Sequence, residues 1–553
     1  MSELSKAELL KLESEGLRGT IAEELLNNES GFSKETTNLI KFHGMYQQDD
    51  RDSRRGAKEK AYSLMIRGRI PGGRLNASEY IIWDDVASKY SGNNSLRLTT
   101  RQSIQLHGVL KKNIKETIQE IHQAFTTQGA CGDVVRNVTQ AENPWNDPKL
   151  HQLNSVAEEL SDHFLAKTQA FTEIWLDGEH VNADETEVLY GKTYLPRKFK
   201  IAVTAVGNNS VDLYTNDMGF AATYSSSGDI DGYFVFAGGG MGMTHKKPAT
   251  FPRIADVVGW VEKAELIPVA EAIISVHRDF GNRDNRKNAR LKYVIAERGL
   301  TWFREEVERR SGISFIQNEL PEWDTPNLLG WTKSGDDTWT YGLHLNAGRI
   351  IDTETVKLKS GLRSTIEKFG LSVQVTADQD LLLLNINEED KLLVAHYLET
   401  FGIEDKRISK LQQRALACVA LPTCGLAITE AERYLPDAIL KIDQLLEKYG
   451  LQNEAPVFRI TGCPNGCARP YAAELAFVGR GKNAYSIFAG GSAEGTRVAQ
   501  LLHDNIKEDV IYQYIDQLFL IWKNERNESE TLGDFVHRYS VEALAKKTTL
   551  ELV

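Results

Sequence analysis

Short strand-like tracts alternate with amphipathic helical segments in two parts of the chain. The tracts at residues 103–107 and 381–384 are strand-like, and the segments that follow them, 114–125 and 388–401, place apolar residues at helical spacing. Helices that alternate with strands in this way pack on one face of an antiparallel sheet. The pattern therefore predicts α+β structure in both parts.

The chain repeats itself over long distances. Four pairs of short segments resemble each other: 73–75 and 348–350, 95–102 and 372–379, 199–201 and 458–460, and 233–239 and 485–491. Their order along the chain is A–B–A′–B′. This order indicates a duplicated two-part unit rather than a solenoid of short repeats.

The duplication predicts an α+β fold with pseudo-twofold symmetry and three domains. The predicted parts are an N-terminal arm at 1–60, a domain in which 61–130 pairs with 334–404, a domain at 131–333 and a domain at 405–553. The arm is polar and cannot build a core alone, so we expect it to wrap on the rest of the protein. Residues 510–553 are predicted to form a terminal helix and a tail.

Composition narrows the class of protein. The 553 residues are 41% hydrophobic and 26% charged, as in an ordinary globular protein, and the net charge of −12 argues against general nucleic-acid binding. The chain has no run of about 18 apolar residues and no apolar signal-peptide core near its N-terminus. We therefore expect a cytoplasmic protein, in which thiols stay reduced.

Four of the five cysteines fall in one short stretch. They form a C-x5-C pair, Cys418 and Cys424, and a C-x3-C pair, Cys463 and Cys467, each bounded by Gly and Pro. Four thiolates that converge suit an iron–sulfur cluster or a zinc ion. Zinc more often uses C-x2-C or C-x4-C spacing, so we expect a cluster. The concentration disfavours scattered core thiols, which is how we interpret the fifth cysteine, Cys131.

Cationic residues recur in strand-like, apolar surroundings. Lys198 and Lys200 lie two apart in a predicted strand, so their side chains should share a face, and Arg67 and Arg69 have the same spacing. Further cations of this kind are Arg97, Arg101 and Arg136. Each alone is explained by an exposed strand face. Together, in an acidic chain, they favour an anion site in which Arg supplies bidentate contacts and Lys a transferable proton.

Glycine-rich loops and isolated histidines complete the candidate chemistry. The loops at 238–240 and 490–491 follow predicted strands, but neither gives the G-x-G-x-x-G pattern of a dinucleotide fold. We expect them to let backbone approach a flat cofactor. The histidines are expected to be hydrogen-bonded rather than ligands; they are His43, His107, His245 and His277.

The cysteine motif resembles the sirohaem and [4Fe-4S] signature of sulfite and nitrite reductases, and the similarity covers nearly the whole chain. Five segments are similar to the haemoprotein (beta) subunits of bacterial NADPH-dependent assimilatory sulfite reductases: 17–23, 42–52, 69–73, 194–200 and 285–289. The cysteine motif alone does not separate sulfite from nitrite enzymes. The arm and the 195–200 tract favour sulfite.

The resemblance implies a role for each candidate residue. Cluster ligands would be Cys418, Cys424, Cys463 and Cys467, the last also holding the sirohaem iron. Substrate cations would be Arg67, Arg136, Lys198 and Lys200. Sirohaem contacts would be Arg97, Arg101 and Gln105, joined by Arg290. The paired domain would be ferredoxin-like, 131–333 would bind substrate and sirohaem, and 405–553 would ligate the cluster.

The activity implied is the six-electron reduction of sulfite to sulfide in assimilatory sulfur metabolism and cysteine biosynthesis. No flavin or NADPH motif is evident in the sequence, so the family implies a flavoprotein subunit with FAD and FMN as electron donor, docked partly through the arm. A ferredoxin donor is the alternative. Two other functions stay open: a sirohaem nitrite reductase that makes ammonia, and a non-catalytic cluster- or zinc-binding protein.

Overall fold

The computed structural model describes residues 5–54, 60–179, 187–335, 337–405 and 408–548. Residues 1–4 and 55–59 of the predicted arm and 549–553 of the predicted tail lie outside the described residues. The chain divides into two compact units. The first unit contains the chain up to Gly238 and residues Ala255–Asp405, and the second contains Gly239–Ile254 and the chain from Lys406.

The described residues form twenty β-strands. Their bounds are Met45–Asp49 (β1), Tyr62–Arg67 (β2), Arg74–Leu75 (β3), Leu96–Leu98 (β4), Ile104–Val109 (β5), Thr139–Gln140 (β6), Ile201–Ala205 (β7), Met218–Tyr224 (β8), Ile230–Ala237 (β9), Asp256–Glu262 (β10), Gly330–Ser334 (β11), Thr338–Leu343 (β12), Arg349–Ile350 (β13), Ser372–Val375 (β14), Leu381–Asn387 (β15), Leu416–Ala417 (β16), Phe458–Thr461 (β17), Leu475–Gly481 (β18), Ala484–Ala489 (β19) and Gln500–Lys507 (β20).

Seventeen α-helices accompany the strands in the described part of the chain. Their bounds are Lys6–Glu13 (α1), Ile21–Leu26 (α2), Thr36–Leu39 (α3), Ala77–Tyr90 (α4), Ile114–His122 (α5), Pro148–His163 (α6), Ala170–Trp175 (α7), Leu266–Phe280 (α8), Leu291–Arg298 (α9), Leu300–Ser311 (α10), Leu358–Phe369 (α11), Lys391–Glu399 (α12), Lys410–Gln413 (α13), Leu435–Tyr449 (α14), Ile511–Glu525 (α15), Leu532–Tyr539 (α16) and Val541–Lys547 (α17). None of these helices is long and apolar enough to cross a bilayer.

The four sheets confirm the duplicated α+β fold. Sheet 1 has the order β1-β2-β5-β4-β13 and sheet 2 the order β11-β12-β15-β14-β3, both antiparallel throughout. Sheet 3 has the order β10-β9-β8-β7-β6 and sheet 4 the order β16-β17-β18-β19-β20. Apart from β3 and β13, each strand of sheets 1 and 3 thus has a counterpart ten strands later in sheets 2 and 4.

The first unit contains sheets 1, 2 and 3, and its two ferredoxin-like sheets exchange a strand. β3 comes from the first copy but pairs with β14 of sheet 2, and β13 comes from the second copy but pairs with β4 of sheet 1. The equivalent helices α4 and α11 contact each other, and Asp84 of α4 accepts from Lys359 and Arg363 of α11 at 3.0 and 2.9 Å. This exchange ties the two copies together.

Local chemistry explains several element boundaries and corrects some predicted ones. Helix α4 begins at a capping box between Asn76 and Glu79, and α14 ends at Gly450 in the left-handed conformation. Residues 6–26 form two helices, α1 and α2, because residues 14–20 turn through Gly16 and Leu17 at positive φ. The predicted helix and tail at 510–553 contain three helices, α15 to α17.

The segment predicted as an arm contributes to the core of the first unit. Leu17, Ile21 and Met45 are buried, and strand β1 is the edge strand of sheet 1. His43 accepts a hydrogen bond from the indole of Trp175 at 3.0 Å and lies 3.1 Å from the carbonyl of Leu17. The proposed domain boundaries remain predictions, because the two compact units are larger than the predicted domains.

Candidate functional site

The four clustered cysteines lie at one edge of sheet 4 in the second unit. Strands β16 and β17 are parallel neighbours, so their carboxyl ends meet at the same edge. Cys418 follows β16 directly, and Cys463 follows β17 after one glycine. Cys424 and Cys467 complete the two turns. The parallel pairing therefore explains how segments 45 residues apart in sequence bring their thiols together.

The thiols influence one another, and two of them accept hydrogen bonds from residues of the segment 462–465. The backbone N–H of Gly462 donates to the sulfur of Cys418 at 3.3 Å, and the side-chain amide of Asn465 donates to that of Cys463 at 3.5 Å. Burial, then the Cys467 thiol, raises the pKa of Cys418 and raises that of Cys463 to about 12. These two cysteines keep their protons until a metal displaces them.

This donor set fits an iron–sulfur cluster. None of the five cysteines forms a disulfide. In the described ranges, no three His, Cys, Asp or Glu side chains are arranged to hold a single metal ion. Thiolates are the usual ligands of iron–sulfur clusters, so four of them suit such a group. Cys467 is exposed between the buried Gly466 and Ala468, which leaves its sulfur accessible to a second group.

Segment 239–254, which begins within the first glycine-rich loop, packs on the C-x3-C turn within the second unit. The backbone N–H of Met243 donates to the carbonyl of Pro464 at 3.0 Å, and His245 bonds the carbonyl of Gly479 at 2.9 Å. A Cβ on Gly466, whose φ is +67°, would lie 2.7 Å from the carbonyl oxygen of Met241. The turn therefore requires glycine at that position.

A row of polar residues crosses sheet 1 in the first unit. Arg67 of β2 lies opposite Gln105 of β5, Gln105 lies opposite Arg97 of β4, and Arg97 lies opposite Arg349 of the exchanged strand β13. Residues in register share one face of a sheet, with Cβ atoms about 5 Å apart. The register thus brings three predicted site residues, Arg67, Arg97 and Gln105, into one row with Arg349.

Arg349 is the member of this row that sequence reasoning missed. The signal was present in the repeated Gly-Arg-apolar turn, but its pairing with the other copy was not predictable from the repeat alone. The equivalent row of sheet 2 has lost most of its polar character; it consists of Gly342, Leu382, Gln374 and Arg74. The row with several cations is therefore found on sheet 1 and not on sheet 2.

The row is electrostatically suited to an anion. Like charges directly opposite each other on neighbouring strands repel, as Arg97 and Arg349 do here. Burial, then Arg349, Arg97 and Arg67, holds the pKa of His107 well below its usual value, so this histidine stays neutral. A polyanion such as a carboxylated macrocycle would relieve the repulsion. The residues of sheet 1 thus fit the carboxylates of sirohaem.

Arg136, Lys198 and Lys200 lie on two paired segments of the first unit. The backbone N–H of Arg136 donates to the carbonyl of Phe199 at 2.8 Å. The prediction that both lysines lie in a strand is wrong, because β7 begins at Ile201; the segment before it makes only a single bridge, at Phe199. Phe199 is buried while its two lysine neighbours are half-buried. This alternation agrees with the expectation that the two lysine side chains lie on the same face.

Arg101 and Arg290 are anchored by neighbouring residues. Arg101 lies in the turn between β4 and β5, not in a strand, and donates to the carbonyls of Asn137 and Ile201 at 2.6 and 2.7 Å. Arg290 forms a bidentate pair with Asp217 at 3.1 and 2.7 Å. Both side chains are therefore oriented by the protein itself.

The cations influence one another through Lys200. Burial, then Lys198, Arg101 and Arg290, holds the pKa of Lys200 well below its usual value, and Asp217 opposes this shift. A lysine in such surroundings can release its proton more readily than an exposed one. The candidate substrate cations thus include a group suited to proton transfer.

Other candidates have structural contacts. Arg67 donates to the sulfur of Cys131 at 3.4 Å, so this buried thiol lies beside a predicted substrate cation. His277 bonds the carbonyl of Ala289 at 3.0 Å. The hydrogen-bonded roles expected of the histidines match these contacts and those of His43 and His245.

Comparison with known proteins places the chain in a clear context. The family model "Nitrite and sulphite reductase 4Fe-4S domain" matches residues 156–315 and 442–553, and "Nitrite/Sulfite reductase ferredoxin-like half domain" matches 56–124 and 332–399. The "Sulfite reductase [NADPH] hemoprotein beta-component" of Shewanella loihica is 44% identical over 549 residues, covering 97% of both chains. That of Staphylococcus saprophyticus is 42% identical over 550 residues, covering 97% of this chain and 96% of its own.

A solved structure shares the fold. The Mycobacterium tuberculosis NirA protein matches with a TM-score of 0.78 and 22% identity, covering 98% of each chain. At this identity the likeness supports the architecture alone. It agrees with the duplicated α+β arrangement of the sheets.

Proposed function

Because the chain belongs to the nitrite and sulfite reductase family, we propose that it reduces sulfite to sulfide with six electrons, as the haemoprotein subunit of an assimilatory NADPH-dependent sulfite reductase. The observation that carries the proposal is a four-thiol set in a chain whose sheet 1 presents a row of cations on one face. The relatives that match over 96–97% of their own length are named sulfite reductases, which supports sulfite as the substrate.

Two prosthetic groups belong to this proposal. Cys418, Cys424, Cys463 and Cys467 would hold a [4Fe-4S] cluster, and the exposed Cys467 would also hold the iron of sirohaem. The carboxylates of sirohaem would be bound by Arg97, Arg101, Gln105 and Arg290. When bound, the coupled groups supply single electrons and an open iron position for the substrate.

The cations of the first unit would bind and protonate the substrate. Sulfite is a dianion, and guanidinium groups from Arg67 and Arg136 would offset its charge and polarise its S–O bonds. Loss of oxygen as water requires protons, which the ammonium groups of Lys198 and Lys200 would donate. The lowered pKa of Lys200 supports this role, since it brings the proton closer to transfer at neutral pH.

The electron donor would be a flavoprotein subunit. The relatives carry NADPH in their names and are called beta-components, which supports a separate NADPH-oxidising chain as partner. Ferredoxin is the alternative donor. The absence of disulfides among the five cysteines supports a reaction in the reducing cytoplasm.

Spectroscopy and turnover test the proposal together. We expect the purified protein from a sirohaem-producing host to show tetrapyrrole absorption and about five iron atoms per chain. Sulfite should be reduced to sulfide faster than nitrite is reduced to ammonia. A colourless zinc protein would refute the reductase function, and faster nitrite turnover would favour a nitrite reductase. Activity with a flavoprotein and NADPH, compared with reduced ferredoxin, distinguishes the donors.

A further inference from the structure

A two-residue turn before β8 anchors three of the candidate cations. Asp217 accepts hydrogen bonds from the backbone N–H of Lys200 at 3.0 Å and from the Arg290 guanidinium at 3.1 and 2.7 Å. Its neighbour Asn216 accepts a short hydrogen bond from Arg101 through its side-chain oxygen. Asp217 is fully buried, so water does not screen its charge. One turn thus orients cations that come from three separate segments.

The other half of the chain contains the same carboxylate without the cations. Glu474 lies before β18, as Asp217 lies before β8, and is also buried. It accepts from the backbone N–H of Val457 at 2.9 Å. Val457 corresponds to Lys200 by strand register, because Ile201 pairs with Met218 as Phe458 pairs with Leu475. The structural equivalence is thus offset by two residues from the sequence similarity of 199–201 to 458–460. The carbonyl of Glu474 accepts from Gly490 at 3.1 Å, just as that of Asp217 accepts from Gly238 at 2.9 Å.

The two carboxylates differ in their remaining partner. Glu474 takes the backbone N–H of Gly533 in the first turn of α16 at 2.9 Å, whereas Asp217 takes the charged side chain of Arg290. The shared bonds are therefore structural and are retained in both halves. The pairing with a cation is specific to the half that carries the candidate substrate residues.

We propose that Asp217 is a positioning residue for anion binding: it fixes Arg290 and the Lys200 segment and supplies a buried negative charge behind the candidate cations. An isolated cluster of cations would be unfavourable in a buried site, because each charge disfavours its neighbours. A single carboxylate placed behind them offsets this repulsion. The sequence contained no motif for this role.

The surroundings of Lys200 set the sign of its effect on pH dependence. Burial, then Lys198, Arg101 and Arg290, lowers the pKa of Lys200, and Asp217 raises it. Neutralising Asp217 should therefore lower this pKa further, so Lys200 loses its charge at a lower pH. His277 also interacts with the charge of Asp217, but burial lowers the pKa of His277 to about 4, so this histidine is already neutral in this range.

Sulfite titration of the purified holoenzyme, followed by its visible spectrum, tests the inference. In Asp217→Asn, which keeps an acceptor for the Lys200 backbone, we expect the dissociation constant for sulfite to rise about tenfold. Sulfite binding should weaken at high pH as Lys200 loses its charge. The pH at which this weakening occurs, the alkaline limb of the binding curve, should be lower in Asp217→Asn than in the wild type. Arg290→Met removes a charge that lowers the pKa of Lys200, so its alkaline limb should move the opposite way, to higher pH. This second variant tests the inference even if the first does not fold.

Glu474→Gln is the matched control, because it alters the equivalent carboxylate, which accepts from the backbone N–H groups of Val457 and Gly533. Its sulfite affinity and alkaline limb should equal those of the wild type. Equal shifts in both variants, or wild-type behaviour in Asp217→Asn, would overturn the role of Asp217, as would an unmoved limb in Arg290→Met. The inference rests on the proposed function, but different results would refute the function and the inference. A wild-type protein without sirohaem or sulfite turnover refutes the function, whereas an active wild type with a wild-type-like Asp217→Asn refutes only the positioning.

Discussion

The guanidinium of Arg69 donates to the backbone carbonyl of Val135 at 2.8 Å and thereby supports the segment that carries Arg136. Two further bonds from Arg69 reach the hydroxyl and carbonyl of Ser161 at 3.0 and 2.7 Å. Arg67 takes a different direction and reaches Cys131, because β2 ends at Arg67 and the alternation of a strand no longer applies beyond it. Two arginines at the same spacing therefore have different environments.

Replacing Arg69 should destabilise the first unit. Arg69→Leu leaves the carbonyls of Val135 and Ser161 buried without their donor, which we expect to lower the free energy of unfolding by about 3 kcal/mol. The midpoint of urea unfolding measures this. Arg309→Leu, which alters an exposed pair with Glu306, should leave the midpoint unchanged. An Arg69 variant as stable as the Arg309 variant would contradict the anchoring role.

Arg349 should contribute to cofactor binding although it comes from the second copy of the repeat. Arg349→Met removes one cation from the row on sheet 1, so we expect less sirohaem per chain after dialysis, measured by absorbance. The matched control is Arg74→Met, which changes the equivalent position of sheet 2, where the row lacks other cations. Equal sirohaem content in both variants would show that the row does not act as one anion site.

The repeats and the cysteine spacing were readable from the sequence because they depend on local patterns. Segments such as 95–102 and 372–379 became equivalent strands, β4 and β14, and the four cysteines are neighbours in the second unit. The duplicated α+β architecture follows from these repeats. Such features survive without knowledge of which strands pair.

Long-range pairing was not readable. The exchange of β3 and β13 between sheets depends on register between distant segments, so the place of Arg349 beside Arg97 could not be predicted. Lys198 and Lys200 looked like strand residues because they flank an apolar Phe199, yet regular pairing begins only at Ile201. The role of Asp217 depends on three segments that meet only in the folded protein, so it could not be predicted from any one of them.

A buried ion network should make the stability of the first unit depend on pH. Asp133 receives two bonds from Arg286 at 2.6 and 2.8 Å, and Lys11 of α1 lies 3.9 Å away. Burial alone would raise the pKa of Asp133, but Arg286, Lys11 and Arg197 outweigh it and hold this pKa below its usual value. Its stabilisation is therefore present above the unfolded pKa of about 3.9 and lost as pH falls through the lower folded value.

Asp133→Asn should accordingly lower the free energy of unfolding by about 3 kcal/mol at neutral pH. The difference from wild type should narrow as pH falls below about 4. Urea midpoints across this range measure it. Asp177→Asn, an exposed partner of Lys115, should change little at any pH. A constant difference between Asp133→Asn and wild type at all pH values would mean that packing, rather than charge, explains the effect.

Close packing behind the cysteine turns should make cluster assembly sensitive to one methyl group. A Cβ on Gly462 would lie 2.5 Å from the carbonyl oxygen of Thr429 and 2.6 Å from the Cβ of Ala420, so the backbone that donates to Cys418 must shift. We expect Gly462→Ala to lower iron and acid-labile sulfide per chain, because overpacking of this kind costs about 1–3 kcal/mol. Gly425→Ala, beside Cys424, adds its methyl where no atom lies within 4 Å and should keep the full complement. Full iron in Gly462→Ala would show that the turn can relax without disturbing its thiols.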